Sequence, residues 1–391
     1  MQQYAQIKSQ FLLDPNITFL NFGSFGACPK PIFEDYQKWQ LLAEREPVQF
    51  MTVTGLDYLK TSREALAQYL NCNADDLVYV PNPSYAVNLV AKSLQLNEGD
   101  EILTTNLEYG AIDMTWLYYC KKAKAKYIRQ PIQLPLTTKE NFLEQFWKGL
   151  GPKTKIIFLG QITSSTALKF PVKEICETAK QKGLLTIIDG AHVPGHAPLN
   201  LAELKADIYT GACHKWMMTP KGSSFLFVKK EFQKLLDPLV ISWGFEMPLP
   251  SLTPFLNYHQ AQGTRDFTAF LTIPKAIQFM KENNWDKVSA DCRQLARSNY
   301  QRFCDLVGSQ PLCPITEEFL GQMCSIPIKT NSPEKLKQVL YEKYRIEIPV
   351  MVHENYVFLR YSINAFNSQK DLDILYDALN KIMAETDLLI K

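Results

Sequence analysis

Between residues 75 and 228 the chain alternates short apolar runs with amphipathic stretches, and this alternation restricts the fold more than any other feature. The runs at 77–80, 100–105, 126–129, 154–159, 184–188, 207–210 and 222–228 are rich in β-branched and aromatic residues and have strand length. Between them the spacing predicts helices at 86–94, around Trp116, at 142–147 and at 172–183, the last closed by Gly183. Strands joined by helices form a mostly parallel sheet covered on both faces, so the expected class is α/β.

Ligands of such sheets bind beyond the carboxyl ends of the strands. Polar residues collect there: Ser84, Tyr109, Gln161, Asp189, His192 and Lys215. Asp189 ends the run Leu184-Leu-Thr-Ile-Ile188. Lys215 follows 26 residues later in Cys213-His-Lys-Trp216. One acid and one amine at neighbouring strand ends can hold a pyridoxal phosphate ring. The amine forms a Schiff base with the aldehyde, and the acid keeps the pyridine nitrogen protonated. Apolar and aromatic neighbours predict a lowered pKa for Lys215, whereas Lys221 reads as a surface lysine near a turn.

The other candidates each carry two readings. Ser84, in Pro81-Asn-Pro-Ser-Tyr85, is a helix N-cap or part of an anion site at the helix start. Tyr109 is a packing aromatic or a ligand contact. Asn21, in Phe19-Leu-Asn-Phe-Gly-Ser-Phe-Gly26, lies in a plain loop or offers an amide at a pocket edge. Arg360 sits at an inward strand position and needs an anion, either a structural carboxylate or that of a substrate. His192 and His196 have i, i+4 spacing, but Pro194 and Gly195 break any helix between them, so no metal site is expected. Neither a G-x-S-x-G elbow nor a G-x-G-x-x-G turn is present.

A chain of 391 residues is too long for one simple core. Residues 31–71 read as helical, with Asn71 as the stop. An irregular stretch at 229–262 contains Pro238, Pro248, Pro250 and Pro254. The turn Gln262-Gly-Thr-Arg-Asp266 then opens a helix at 269–280. Helices at 285–307 and 333–344 and strands at 323–329 and 356–363 suggest a second domain. The net charge of +2 predicts no nucleic-acid partner, and Lys121-Lys-Ala-Lys-Ala-Lys126 reads as a solvated helix end. No apolar run approaches the roughly 20 residues of a membrane span, and the N-terminus has no signal pattern. Nine scattered cysteines without a C-x-x-C pair predict reduced thiols and a cytoplasmic location.

The motifs Asn-Phe-Gly-Ser-Phe-Gly, Asn-Pro-Ser-Tyr-Ala-Val-Asn, Glu-Tyr-Gly-Ala, Asp-Gly-Ala-His, Cys-His-Lys-Trp, Gly-Thr-Arg-Asp and Arg-Tyr-Ser-Ile occur in that order. Together they resemble the class V aminotransferase family of fold-type I pyridoxal phosphate enzymes. The similarity is greatest to the isopenicillin N epimerase-like branch and extends to C–S lyases such as the hercynylcysteine sulfoxide lyases. It implies an N-terminal segment (1–30) near the active site, a large cofactor domain (31–268) and a small α+β domain (269–391). It implies Lys215 as the Schiff-base lysine, Asp189 on the pyridine nitrogen, His192 near the phenolic oxygen and Tyr109 stacked on the ring. Ser84, the backbone at Tyr85, and His214 would hold the phosphate, with Thr264 reaching it from a neighbouring subunit of a homodimer. Gln161 would lie beside the cofactor, in place of the histidine of epimerase-like relatives. Arg360 would clamp the carboxylate of an amino acid substrate, with Asn21 nearby. The reaction implied is epimerisation, with C–S cleavage or transamination as alternatives. No cysteine occurs in 325–359, so the persulfide route of cysteine desulfurases is not expected.

Overall fold

A computed structural model describes residues 4–246 and 253–391. Pro248 and Pro250 of the irregular stretch lie outside the described residues. The strands are β1 (Thr18–Phe19), β2 (Leu77–Val80), β3 (Glu101–Thr105), β4 (Lys126–Gln130), β5 (Thr154–Gly160), β6 (Leu185–Gly190), β7 (Ile208–Ala212), β8 (Ser224–Val228), β9 (Met323–Ile328), β10 (Ile346–Glu347), β11 (Val350–His353) and β12 (Tyr356–Ser362).

The main sheet has the order β2-β8-β7-β6-β5-β3-β4. Only β8 runs antiparallel to its neighbours. Adjacent residues of one strand feed two different cores. Ile187 packs with Val78, Phe158 and Leu226 on one face, while Ile188 packs with Leu103, Leu159 and Tyr209 on the other. Burial on both faces explains why these strands read as continuous apolar runs rather than alternating ones.

β6 and β7 end side by side, with Asp189 in register with Thr210. Lys215 follows β7 by three residues, so sheet register alone brings the acid and the amine to one edge.

Residues 31–71 are helical, as expected, in several pieces rather than one helix. Lys30–Arg45 ends at Glu46, and a π-helical turn at Phe50–Thr54 leads into Gly55–Leu70. Pro47 has no N–H to continue the first helix, and its ring disfavours helical backbone at Glu46. Asn71 is the stop, with φ 52° in the left-handed region. The helix expected from residue 86 begins earlier, at Pro83, because Asn82 caps it: the Asn82 Oδ1 accepts the Tyr85 N–H at 2.8 Å.

Beyond Thr268–Leu271 and Ile273–Glu282, which pack on the helices Lys30–Arg45 and Gly55–Leu70, the chain builds a smaller sheet of order β11-β12-β9, all antiparallel. The helix Trp285–Val307 packs against β9 and against Gln369–Glu385. The N-terminal segment ties into this unit. β1 pairs with β10, and the Ser362 N–H donates to the Leu20 carbonyl at 2.9 Å.

Candidate active site

A cavity of about 500 Å³ opens where β3, β5, β6 and β7 end, closed by the N-terminal segment and by β12. Gly23 and Gly26 let that segment pass close. A Cβ at Gly23 would collide with the Met323 sulfur, and one at Gly26, where φ is +65°, with the His214 carbonyl.

Asp189 and Lys215 both line the cavity. Asp189 Oδ1 accepts the Ala191 N–H at 2.9 Å. No hydrogen bond reaches the other oxygen among the described residues. Burial raises its pKa, opposed by the Ala191 N–H and the Lys215 charge. Burial lowers the Lys215 amine to about 8, with Asp189 acting against the shift and Arg360 adding to it. A share of this amine is therefore a neutral nucleophile and base near neutral pH. His192 lies beside it, with Nε2 3.4 Å from Nζ.

Arg360 is 1% exposed on β12. Its Nη1 donates to the Ser164 carbonyl at 2.6 Å and to the Ser164 hydroxyl at 3.3 Å, and its Nη2 donates to the Ser24 hydroxyl at 3.1 Å. No carboxylate lies within ion-pair reach among the described residues, and Nε is buried without a partner. Burial lowers its pKa to about 10, so it remains a cation at neutral pH. A buried cation without a counter-ion, lining a cavity, leaves room for an anionic ligand to pair with it.

At the other end, Ser84 lines the cavity without serving as the helix cap, since Asn82 does that. His214 Nδ1 lies 3.0 Å from the Ser223 carbonyl, which only accepts, so the proton sits on Nδ1. Nε2 can then donate to an anion only as imidazolium. Burial lowers His214 to about 4, and a phosphate at Nε2 would raise it again. Tyr109, 47% exposed, lines the cavity and interacts electrostatically with Arg360.

Four candidates do not meet the cavity as expected. Gln161 points away from it. Side chains alternate along a strand, so with Gly160 facing the cavity Gln161 faces the opposite side, where its Oε1 accepts from the Tyr209 hydroxyl at 2.8 Å. The Tyr85 N–H is consumed by the Asn82 cap, and its hydroxyl pairs with Gln262 at 3.2 Å. Asn21 acts one step removed: its Oδ1 accepts from Ser24, and Ser24 touches Arg360. Thr264 is exposed and lies outside its own chain's cavity.

Sequence reasoning missed Ser24, Ser164, Glu108 and Lys221, all of which line the cavity. Only Glu108 had a usable signal, as the neighbour of Tyr109 at a strand end. Its Oε1 accepts from Thr105 at 2.7 Å and its Oε2 from the Gly160 N–H at 2.8 Å. Burial nevertheless pushes its pKa up to about 8 from an ordinary 4.5. Between these values the folded protein holds a proton that the unfolded chain has lost, so this carboxyl lowers stability as pH rises through that window. Glu108→Gln is isosteric and should flatten the trend. Urea midpoints of the parent should fall between about pH 5 and about pH 8 more steeply than those of the variant. Parallel slopes would refute a raised Glu108 pKa.

Comparison with known proteins agrees with this geometry. The family model "Aminotransferase class-V" matches residues 32–375. The chain is 32% identical to the isopenicillin N epimerase of Amycolatopsis lactamdurans, over 97% of this chain and 98% of that protein. It is 24% identical to a putative L-cysteine desulfhydrase of Oryza sativa subsp. japonica, over 97% of this chain and 86% of that protein. Among solved structures it superposes on a cysteine desulfurase from Thermococcus onnurineus NA1 with a TM-score of 0.84 at 18% identity, covering 97% and 98% of the two chains.

Proposed function

Because the chain belongs to the class-V aminotransferase family and is a pyridoxal 5′-phosphate enzyme, we propose that it moves the α-proton of an amino acid from one face to the other, as an epimerase. The cavity's donor set fits this cofactor: a buried carboxylate with one oxygen uncommitted, an amine of lowered pKa, a serine at a helix start and a histidine in the turn after β7. When bound, pyridoxal phosphate withdraws electrons from the α-carbon of an attached amino acid. The protein's residues do the rest. Asp189 would hold the ring nitrogen in its protonated form, and Lys215 would hold the cofactor and serve as the base that takes or returns the α-proton. Arg360 fixes the substrate carboxylate, with Ser164 and Ser24 orienting its guanidinium.

Inversion needs a second proton relay besides Lys215. Tyr109 suits that role, as a hydroxyl lining the same cavity beside Arg360. Tyr85 does not, because its hydroxyl is bound to Gln262 outside the cavity. The observation that carries the epimerase reading is the full-length similarity to an isopenicillin N epimerase, greater than that to the desulfhydrase. In heavy water, single amino acids should gain α-deuterium and invert. Tyr109→Phe should keep the deuterium exchange driven by Lys215 while losing inversion by about 100-fold or more. Inversion at the parental rate would remove Tyr109 from the role, and no inversion of any amino acid by the parent would remove the epimerase reading.

A second reading, C–S cleavage, draws on the desulfhydrase relative and is distinguished by release of sulfide and pyruvate from cysteine. No cysteine lines the cavity among the described residues, which speaks against a persulfide route. Whichever reaction it runs, we propose that the protein is a cytosolic homodimer in which Thr264 serves the partner's site. Its support is the exposed position of Thr264 and the apolar row Met114, Leu117 and Tyr118 on the exposed face of helix Gly110–Ala123. Nine free cysteines, and no helix among the described residues long and apolar enough to cross a membrane, are consistent with that location.

A further inference from the structure

His192 stands between the lysine and an indole. Its Nε2 is 3.4 Å from Lys215 Nζ, and its Nδ1 is 3.4 Å from Trp216 Nε1. An indole nitrogen can only donate, so Nδ1 accepts. A neutral imidazole that accepts at Nδ1 carries its proton on Nε2. Trp216 is itself fixed. It is 1% exposed, and its ring stacks on His196 with centroids 4.1 Å apart and planes at 28°. His196 is held through both nitrogens. Nδ1 lies 2.8 Å from the His192 carbonyl, and Nε2 accepts the Gln322 N–H at 2.6 Å. Gln322 immediately precedes β9, so the network runs from the small sheet to the lysine.

We propose that Trp216 is a positioning residue: its indole N–H fixes His192 in the Nε2–H tautomer, so that a permanent donor faces the Lys215 side of the cavity. Two effects follow. A negatively charged ring oxygen of the cofactor receives a donor whose direction does not depend on its arrival. An Nε2–H also faces Lys215 as donor to donor, which disfavours the ammonium and favours the neutral amine. Without the indole N–H, His192 can move its proton to Nδ1 and accept from the ammonium at Nε2, holding Lys215 protonated. Lys215, Arg360, His196 and His214 oppose the protonation of His192, as burial does, and Asp189, Glu108, Tyr109 and Lys221 line the same cavity. The second effect rests on Lys215 being the cofactor lysine; the tautomer does not.

The test is nitrogen-15 NMR of the purified protein, cofactor bound, labelled at its five histidines. His192→Gln assigns the resonance. The native protein should show His192 with a protonated Nε2 and a bare Nδ1. Trp216→Phe keeps an aromatic ring on His196 but should populate the Nδ1–H form and move the pH midpoint of the visible absorption band. A native Nδ1–H tautomer overturns the proposal, and that arm needs no variant to fold. An unchanged tautomer in Trp216→Phe also overturns it. A tautomer change with a static band supports the positioning of His192 and overturns its effect on Lys215.

Discussion

Replacing Lys215 with alanine should abolish the visible absorption band of the lysine-bound cofactor and, through loss of the base alone, lower turnover by about 10²–10⁴-fold. The fold should survive. The amine is held in the cavity at a desolvation cost that lowers its pKa to about 8, so its removal relieves that cost, and Asp189, which loses the Lys215 charge, keeps the Ala191 N–H and can take up a proton. Absorption spectra and circular dichroism on the same sample separate the two outcomes. A variant that is folded and colourless supports the assignment. Lys221 also lines the cavity, its amine donating to the Gly26 carbonyl at 3.3 Å, and is the one other lysine there among the described residues. A Lys215→Ala protein that keeps the band would shift the role to Lys221.

Arg360→Ala should act on a different quantity. The guanidinium has three neutral oxygen partners, on Ser164 and Ser24, and no carboxylate partner among the described residues. An ion pair completed only when substrate arrives costs little in the folded protein when lost but much in binding. The expected loss in kcat/KM is about 2–4 kcal/mol, or roughly 30- to 1000-fold, carried mainly by KM. The visible band should remain, because Arg360 is not needed to hold the cofactor. Arg360→Lys keeps the charge without the two-pronged fork and should recover only part of the loss. An unchanged KM in Arg360→Ala would exclude the carboxylate clamp.

The residues differ in how openly the sequence displays their roles. Asp189 and Lys215 were legible because each closes an uninterrupted apolar run or follows one closely, and parallel register then sets the two ends side by side. The α/β class was legible for the same reason, since strands buried on both faces leave unbroken apolar runs. Gln161 shows the limit of that reasoning. It too stands at a strand end, but the two-residue alternation gives the cavity to Gly160 and turns Gln161 toward Tyr209. One residue of phase, invisible in a run buried on both faces, decides it.

Ser24 and Ser164 show a different limit. Each reaches Arg360 from far away in sequence, 336 and 196 residues respectively, and nothing local marks either serine. Ser84 was ambiguous until Asn82 proved to be the cap, which a rule favouring serine and asparagine equally could not decide. The tautomer of His192 depends on Trp216 only through the fold of the 190–196 turn, so no pattern in the sequence could have shown it.

Lys215 is the proposed point at which the cofactor is held. Reduction of the purified protein with borohydride, followed by proteolysis and mass spectrometry, reads that position directly. The pyridoxyl mass should appear on the peptide containing Cys213-His-Lys-Trp216, at Lys215. The same mass on Lys221, or on no lysine at all, would contradict it.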